Sequence, residues 1–162
     1  MNNISNQQSD IVNAFIKNEQ LLSKLYSNYA LQPANDKDFW NHISHDETVH
    51  ASWVCEFSAK MEQGLAHFDE NRFKIEALNA FSDYINVQIA RTESEEISLI
   101  QSLSISMDLE SSMLERGLFE VFESDDIELR NLLDKLRTST ETHFAQVKIR
   151  WDNERNRARI VQ

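Results

Sequence analysis

Apolar residues recur at intervals of three and four along most of the chain, the period of a helix with one buried face. The first such stretch carries Val12, Phe15, Ile16, Leu22, Tyr26 and Tyr29. Ser9 or Asp10 is placed to cap it, and the predicted helix runs to about Leu31. The segment LQPANDKD around Pro33 ends it, because proline cannot continue a helix and disfavours helix in the residue before it. A second helix, started by Asp36 or Asp38, is predicted from about Phe39 to Met61, with Trp40, Ile43, Ala51, Val54, Ser58 and Met61 facing inward. Gly64 and the residues to Asn71 predict a loop. A shorter helix follows, from about Phe73 to Arg91, with Ile75, Leu78, Ile85 and Ile89 at helical spacing. A third long helix is predicted after Thr92 or Ser94 and ends near Glu123; its stripe is Leu99, Leu103, Met107, Leu114, Gly117 and Val121. The ESDD turn and cap then lead into a fourth, from about Ile127 to Arg155, with Leu129, Leu132, Leu133, Leu136, Val147 and Trp151 inward. Arg155, Arg157 and Arg159 suit its C-terminal dipole.

Composition narrows this pattern to one architecture. Two glycines and one proline in 162 residues leave little with which to build hairpins or phosphate loops, so an all-β fold and a nucleotide-binding loop are excluded. No linker divides the chain; a loose polar N-terminus, 1–9, and a single all-α bundle, 10–158, are expected. The formal charge of −11 argues against nucleic acid or an anionic membrane surface as partner. A single cysteine, Cys55, excludes both an internal disulfide and a CxxC metal site. MNNISNQQSD has no basic-then-apolar leader pattern, and no apolar run approaches the roughly 20 residues of a membrane span. The expected address is the cytoplasm.

Each long stripe is interrupted near its middle by polar residues: Glu19 in the first, Glu47 and His50 in the second, Glu110 in the third, Thr140 and His143 in the fourth. At about 100° per residue these positions lie on the faces expected to be buried. In an antiparallel hairpin, residues equidistant from the turn share a level. Glu19 and Glu47 are symmetric about Pro33, and Glu110 and Thr140 about Asp125. The spacing repeats, 28 then 3 residues in the first half and 30 then 3 in the second, as in a degenerate internal duplication.

A bundle that converges Glu from two helices and Glu-x-x-His from two others is the donor set of di-iron carboxylate proteins. Carboxylate and imidazole at i, i+3 reach one ion together, and this mixture suits iron or manganese, with zinc a further occupant. Three carboxylates left without a cation in a dry core would be costly. A lone Glu on an apolar stripe is more often a hydrogen-bonded or solvent-reaching carboxylate than a ligand; five residues at matched levels reverse that weighting.

The sequences FIKNEQLLSKLYSNYA with HDETVHASWV, and SISMDLESSMLERGLFEVF with LLDKLRTSTETHFAQV, resemble the two ligand-bearing hairpins of the rubrerythrin branch of the ferritin-like superfamily. The resemblance covers about residues 10 to 155. It implies a ferritin-like four-helix bundle whose crossover connection contains the additional shorter helix. It implies Glu19, Glu47, His50, Glu110 and His143 as metal ligands, with Tyr26 and Thr140 in the surrounding shell, and pairing of subunits as many relatives do. Two positions depart from the family pattern. Thr140 stands where the second Glu-x-x-His has its carboxylate, Glu141 beside it being turned about 100° away, and Met113 stands where redox-active members carry a further carboxylate. Three glutamates around two divalent ions leave +1; around one ion they leave −1.

Three functions stay open on these residues: a non-haem iron oxidoreductase acting on oxygen or peroxide with an unidentified electron donor, a non-catalytic metal binder or sensor, and a metal-free helical scaffold. Other positions have plainer readings. Tyr26 is either a donor to a ligand carboxylate or a core aromatic, and His143 either a ligand or a hydrogen-bond partner of a buried Glu. His42, His45, Asp46 and His67 are expected in solvent, and Cys55 in the core or at its boundary. Glu93, Glu95 and Glu96 are read as a favourable acidic helix start.

Overall fold

A computed structural model of the chain describes residues 6–68, 74–115, 122–123 and 126–160. Five helices make up nearly all of it: α1 (Asn6–Ala30), α2 (Lys37–Glu62), α3 (Ile75–Ser94), α4 (Leu99–Glu115) and α5 (Ile127–Ile160). Two short strands, β1 (His67–Phe68) and β2 (Phe122–Glu123), pair antiparallel, His67 opposite Glu123 and Phe68 opposite Phe122. This pairing ties the α2–α3 connection to the α4–α5 connection. Helix α1 packs on α2 and α3, α4 packs on α5, and α2 also meets α5. Among the described residues no helix is long and apolar enough to cross a membrane.

The first hairpin closes where Pro33 requires. Asp36 is the N-cap of α2, its side chain accepting from the Phe39 backbone N–H at 3.1 Å. Arg150 of α5 reaches back to the same Asp36 carboxylate at 3.0 Å and lies 3.8 Å over the Phe39 ring, fastening the far end of α5 to this turn. The antiparallel register of α1 and α2 is visible in Ser23, whose hydroxyl donates to Ser44 O at 2.8 Å. In the second hairpin Trp151 Nε1 donates to Ser104 Oγ at 2.8 Å. The core joins both hairpins and α3, with Phe15, Leu22, Tyr26, Tyr29, Trp40, Ile43, Phe57, Ile85, Leu103, Leu136 and Val147 among its members.

Several boundaries differ from those read in the sequence. Helix α1 starts at Asn6, so residues 6–9 are helical and not loose. The third long helix does not start at Thr92 or Ser94. Those hydroxyls donate backwards, Thr92 to Ile89 O at 2.6 Å and Ser94 to Ala90 O at 3.1 Å, and so finish α3. Helix α4 begins instead with a capping box: Gln101 Oε1 accepts from the Ser98 backbone N–H at 3.0 Å, and Ser98 Oγ from the Gln101 N–H at 3.4 Å. Nor does that helix reach Glu123, which is in β2; Gly117, Val121 and the turn residue Asp125 lie outside the described residues, as does Phe73. Asp126 caps α5 by accepting from Glu128 N at 2.8 Å, and α5 continues past Arg155 to Ile160.

Glu93 and Glu95 sit at the end of α3, where the dipole disfavours them; Lys24 at 3.5 Å and Arg91 at 2.6 Å provide the compensation. Phe57, not Ser58, is the fully buried residue on that turn of α2. Cys55 is exposed and does not belong to the core or its boundary.

Candidate metal centre

Helical spacing brings the five candidate ligands together at the middle of the bundle. Glu47 and His50 follow one another on the inner face of α2, Glu19 comes from α1, Glu110 from α4 and His143 from α5. None of the five is more than 2 % exposed. Glu47 is the centre of the group. Its Oε2 lies 2.9 Å from His50 Nδ1 and its Oε1 2.9 Å from His143 Nδ1. The two imidazoles face each other, ring centroids 5.3 Å apart. Glu19 Oε2 flanks the first at 3.6 Å and Glu110 Oε2 the second at 4.0 Å. The arrangement has two lobes, Glu19 with His50 and Glu110 with His143, and Glu47 belongs to both.

Tyr26 and Asp46 hold the outer side of the cluster. The Tyr26 hydroxyl donates to Glu110 Oε1 at 2.6 Å, so of its two readings the donor to a cluster carboxylate is the one found. Asp46 Oδ2 lies 3.2 Å from His143 Nε2. A carboxylate only accepts, so Nε2 carries the proton and Nδ1 is turned inward. Asp46 was expected in solvent, but it is half-buried against His143; its place four residues before His50 was the signal, since that spacing sets it at the edge of the same face. His42 and His45 are exposed as expected, whereas His67 belongs to β1 and not to a loop. Thr140 is buried beside the cluster, yet its hydroxyl donates to Leu136 O at 3.1 Å, within its own helix. Glu141 is exposed and Met113 is part of the core.

Burial and charge set the protonation of the group. Burial pushes Glu19 up to about 8, and the neighbouring Glu47 charge adds to the rise against His50. Burial likewise carries Glu110 to about 8, aided by Glu47 and opposed by His143 and Tyr26. Burial alone would raise Glu47, but the two imidazoles hold it well below the usual carboxylate range. Burial alone would lower the histidines; Glu19 and Glu47 push His50 up to about 10, and Glu47 with Glu110 and Asp46 push His143 up to about 9. Burial and the Glu110 carboxyl raise the Tyr26 phenol well above its ordinary value, which keeps it a donor.

The donor set fits a metal ion on its own geometry. Neither Glu19 oxygen makes a hydrogen bond to the described residues, nor does His50 Nε2, and Glu47 Oε1 and His143 Nδ1 approach to 2.9 Å without hydrogen-bond alignment. Buried polar atoms left in this way are costly unless something else satisfies them. Donor atoms of Glu47, His50 and His143 all lie within 4.8 Å of one another, a spacing at which one cation can replace the missing bonds. Compared with known proteins, the chain matches no family model, no curated protein and no solved structure. What is established is a predominantly helical protein with a buried Glu/His cluster that could bind metal.

Proposed function

We propose that the protein is a metal-binding bundle of the ferritin-like, rubrerythrin-related kind, holding two first-row divalent ions, iron in preference to manganese or zinc. The observation that carries this reading is Glu47, which offers one oxygen to each of two imidazoles at 2.9 Å while Glu19 and Glu110 flank one imidazole each. Glu19, Glu47 and His50 would hold one ion, and Glu47, Glu110 and His143 the other. Hard carboxylates with imidazole match iron in both oxidation states. The order of the helices supports the ferritin-like part: two hairpins, α1–α2 and α4–α5, joined through the shorter α3.

Bound iron would supply electron transfer to oxygen or peroxide. The chain's own contribution is to orient the donors and exclude bulk water. Tyr26 fixes Glu110, Asp46 fixes the His143 ring with Nδ1 inward, and the apolar core around Trp40 and Phe15 keeps the group dry. Thr140 contributes no carboxylate, so two divalent ions would retain +1 and recruit an anion from solution.

One observation favours a second reading, a non-catalytic binder of a single ion: Glu47, His50 and His143 by themselves place three donor atoms within 4.8 Å. Metal analysis of protein purified without chelator, followed by anaerobic Fe(II) loading and exposure to oxygen or peroxide, separates the two. Two irons per chain that oxidise support the first reading, and one redox-silent ion supports the second. A wild type that stays empty after loading, indistinguishable from Glu47→Ala, leaves a metal-free scaffold.

A further inference from the structure

The five cluster residues are buried, so an ion arriving from water must pass the side chains that cover them. On the outer side of His143, between α2 and α5, lies a cleft of about 430 Å³ whose wall includes His42, Asp46, Trp53, Thr142 and His143 itself. The groove between α3 and α4, around Tyr84 and Asp108, includes none of the five, and neither does the cavity beside Arg150.

Polar atoms in the cleft form a series graded in burial. The His42 side chain is 66 % exposed, and its Nε2 lies 3.6 Å from Oδ2 of Asp46, which is 28 % exposed. The same oxygen is 3.2 Å from Nε2 of the buried His143, and on the other side of that ring Nδ1 is 2.9 Å from Glu47 Oε1. Imidazole, carboxylate, imidazole and carboxylate thus alternate from solvent to the centre, and each is a donor for first-row divalent ions. Asp134, elsewhere on the wall, is paired with Arg137 at 3.2 Å, which leaves Asp46 as the carboxylate in contact with the buried ring.

We infer that His42, Asp46 and His143 form the uptake route by which a divalent cation passes from solvent to the buried centre, with the His143 ring as its gate. The inference rests on the metal-binding reading above. Its physical basis is desolvation: moving a bare divalent ion into a dry core is prohibitive, whereas a ladder of donors replaces its waters a few at a time. The His143 ring separates Asp46 from Glu47, so it must swing for the ion to pass, and Asp46 holds the ion while it does.

A route has a kinetic signature that a ligand lacks. It alters uptake and release by the same factor and leaves Kd unchanged, whereas a ligand or a residue that orients one alters Kd. Cobalt(II) uptake by the full chain can be followed by stopped-flow absorbance, and release by transfer to excess chelator. His42→Ala is expected to slow both about tenfold, since the first donor that replaces the ion's water is gone and about 1.4 kcal/mol on the barrier is a factor of ten in rate, with Kd within about twofold. Thr142→Trp, at an exposed position on the cleft wall, is expected to do the same by filling the mouth. Asp108→Asn, in the α3/α4 groove, should keep wild-type rates. Wild-type rates in both His42→Ala and Thr142→Trp, with cobalt still bound tightly, overturn the route alone. A loss of affinity in His42→Ala with release accelerated and uptake unchanged also overturns it, by making His42 a ligand. A wild type that holds no cobalt at equilibrium overturns the metal-binding reading, and the route with it.

Discussion

Tyr26 of α1 donates its hydroxyl to Glu110 of α4 at 2.6 Å, a contact between residues 84 apart in sequence that joins the two hairpins at the level of the buried cluster. Burial holds Glu110 up to about 8 even with this bond, which works with the His143 charge to favour the ionised carboxylate. Tyr26→Phe keeps the ring packed against Trp40, centroids 5.6 Å apart, and removes only the donor. The expected loss is about 1–3 kcal/mol of unfolding free energy, since a buried acceptor goes unsatisfied. Cobalt(II) affinity should fall about tenfold, as for other groups that orient a metal ligand. Chemical denaturation and equilibrium cobalt titration check the two parts, and unchanged affinity would show that the Tyr26 bond does not position a ligand.

Glu47 carries negative charge between two cationic rings, and Glu47→Gln removes that charge at nearly constant shape. His50 at about 10 and His143 at about 9 should then titrate lower, with Glu19 still supporting the first and Glu110 and Asp46 the second, which proton NMR of the imidazoles detects. Breaking the buried pairs costs about 3–5 kcal/mol. Metal binding should be lost in both lobes together, since Glu47 belongs to each. Retention of one tightly bound ion in Glu47→Gln would contradict the shared role.

The metal-free protein should lose stability as pH rises above about 5. Glu19 and Glu110 sit at about 8 in the folded chain against 4.5 when unfolded, and the histidines at about 9 and 10 against 6.5. Folded chains therefore bind more protons than unfolded ones across this window, and the stabilisation, complete at low pH, drains away through about pH 10. Glu47 has the opposite sign: its depressed value contributes above 4.5 and is lost as pH falls below that. Thermal melts of metal-free protein should peak near pH 5. Metal affinity should rise with pH over the same range, because Glu19, Glu110 and the two histidines must give up protons while Glu47 is already ionised.

Much of this was legible because helical bundles turn sequence spacing into height. Pro33 located the first turn, and symmetry about it set Glu19 level with Glu47; both meet His50 in the structure. The break between α3 and α4 was misplaced because a hydroxyl after a helical run can bond forward as a cap or backward to its own carbonyls. Thr92 and Ser94 do the second, and Ser98 with Gln101 does the first. Asp46 escaped because its spacing from His50 sets it only at the edge of the buried face of α2, and the contact that gives it a role comes from His143 of α5. The β1–β2 pair joins two connections far apart in sequence, where no periodicity of one segment specifies the other.

Thr140 tests whether a missing carboxylate limits the site. It lies one turn before His143 on the buried face of α5, and its hydroxyl is already satisfied by Leu136 O at 3.1 Å. Thr140→Val should therefore leave metal affinity close to wild type. Thr140→Glu adds bulk to a packed core and a fourth acidic group to three, so the metal-free variant should be destabilised by about 1–3 kcal/mol. With two divalent ions bound, four carboxylates balance the charge that three leave at +1. Mn(II) should then raise the melting temperature of Thr140→Glu more than that of wild type, and metal analysis should give two ions per chain. A metal-induced shift no larger than that of Thr140→Val would mean that the glutamate does not reach the ions and that Thr140 is a packing residue alone.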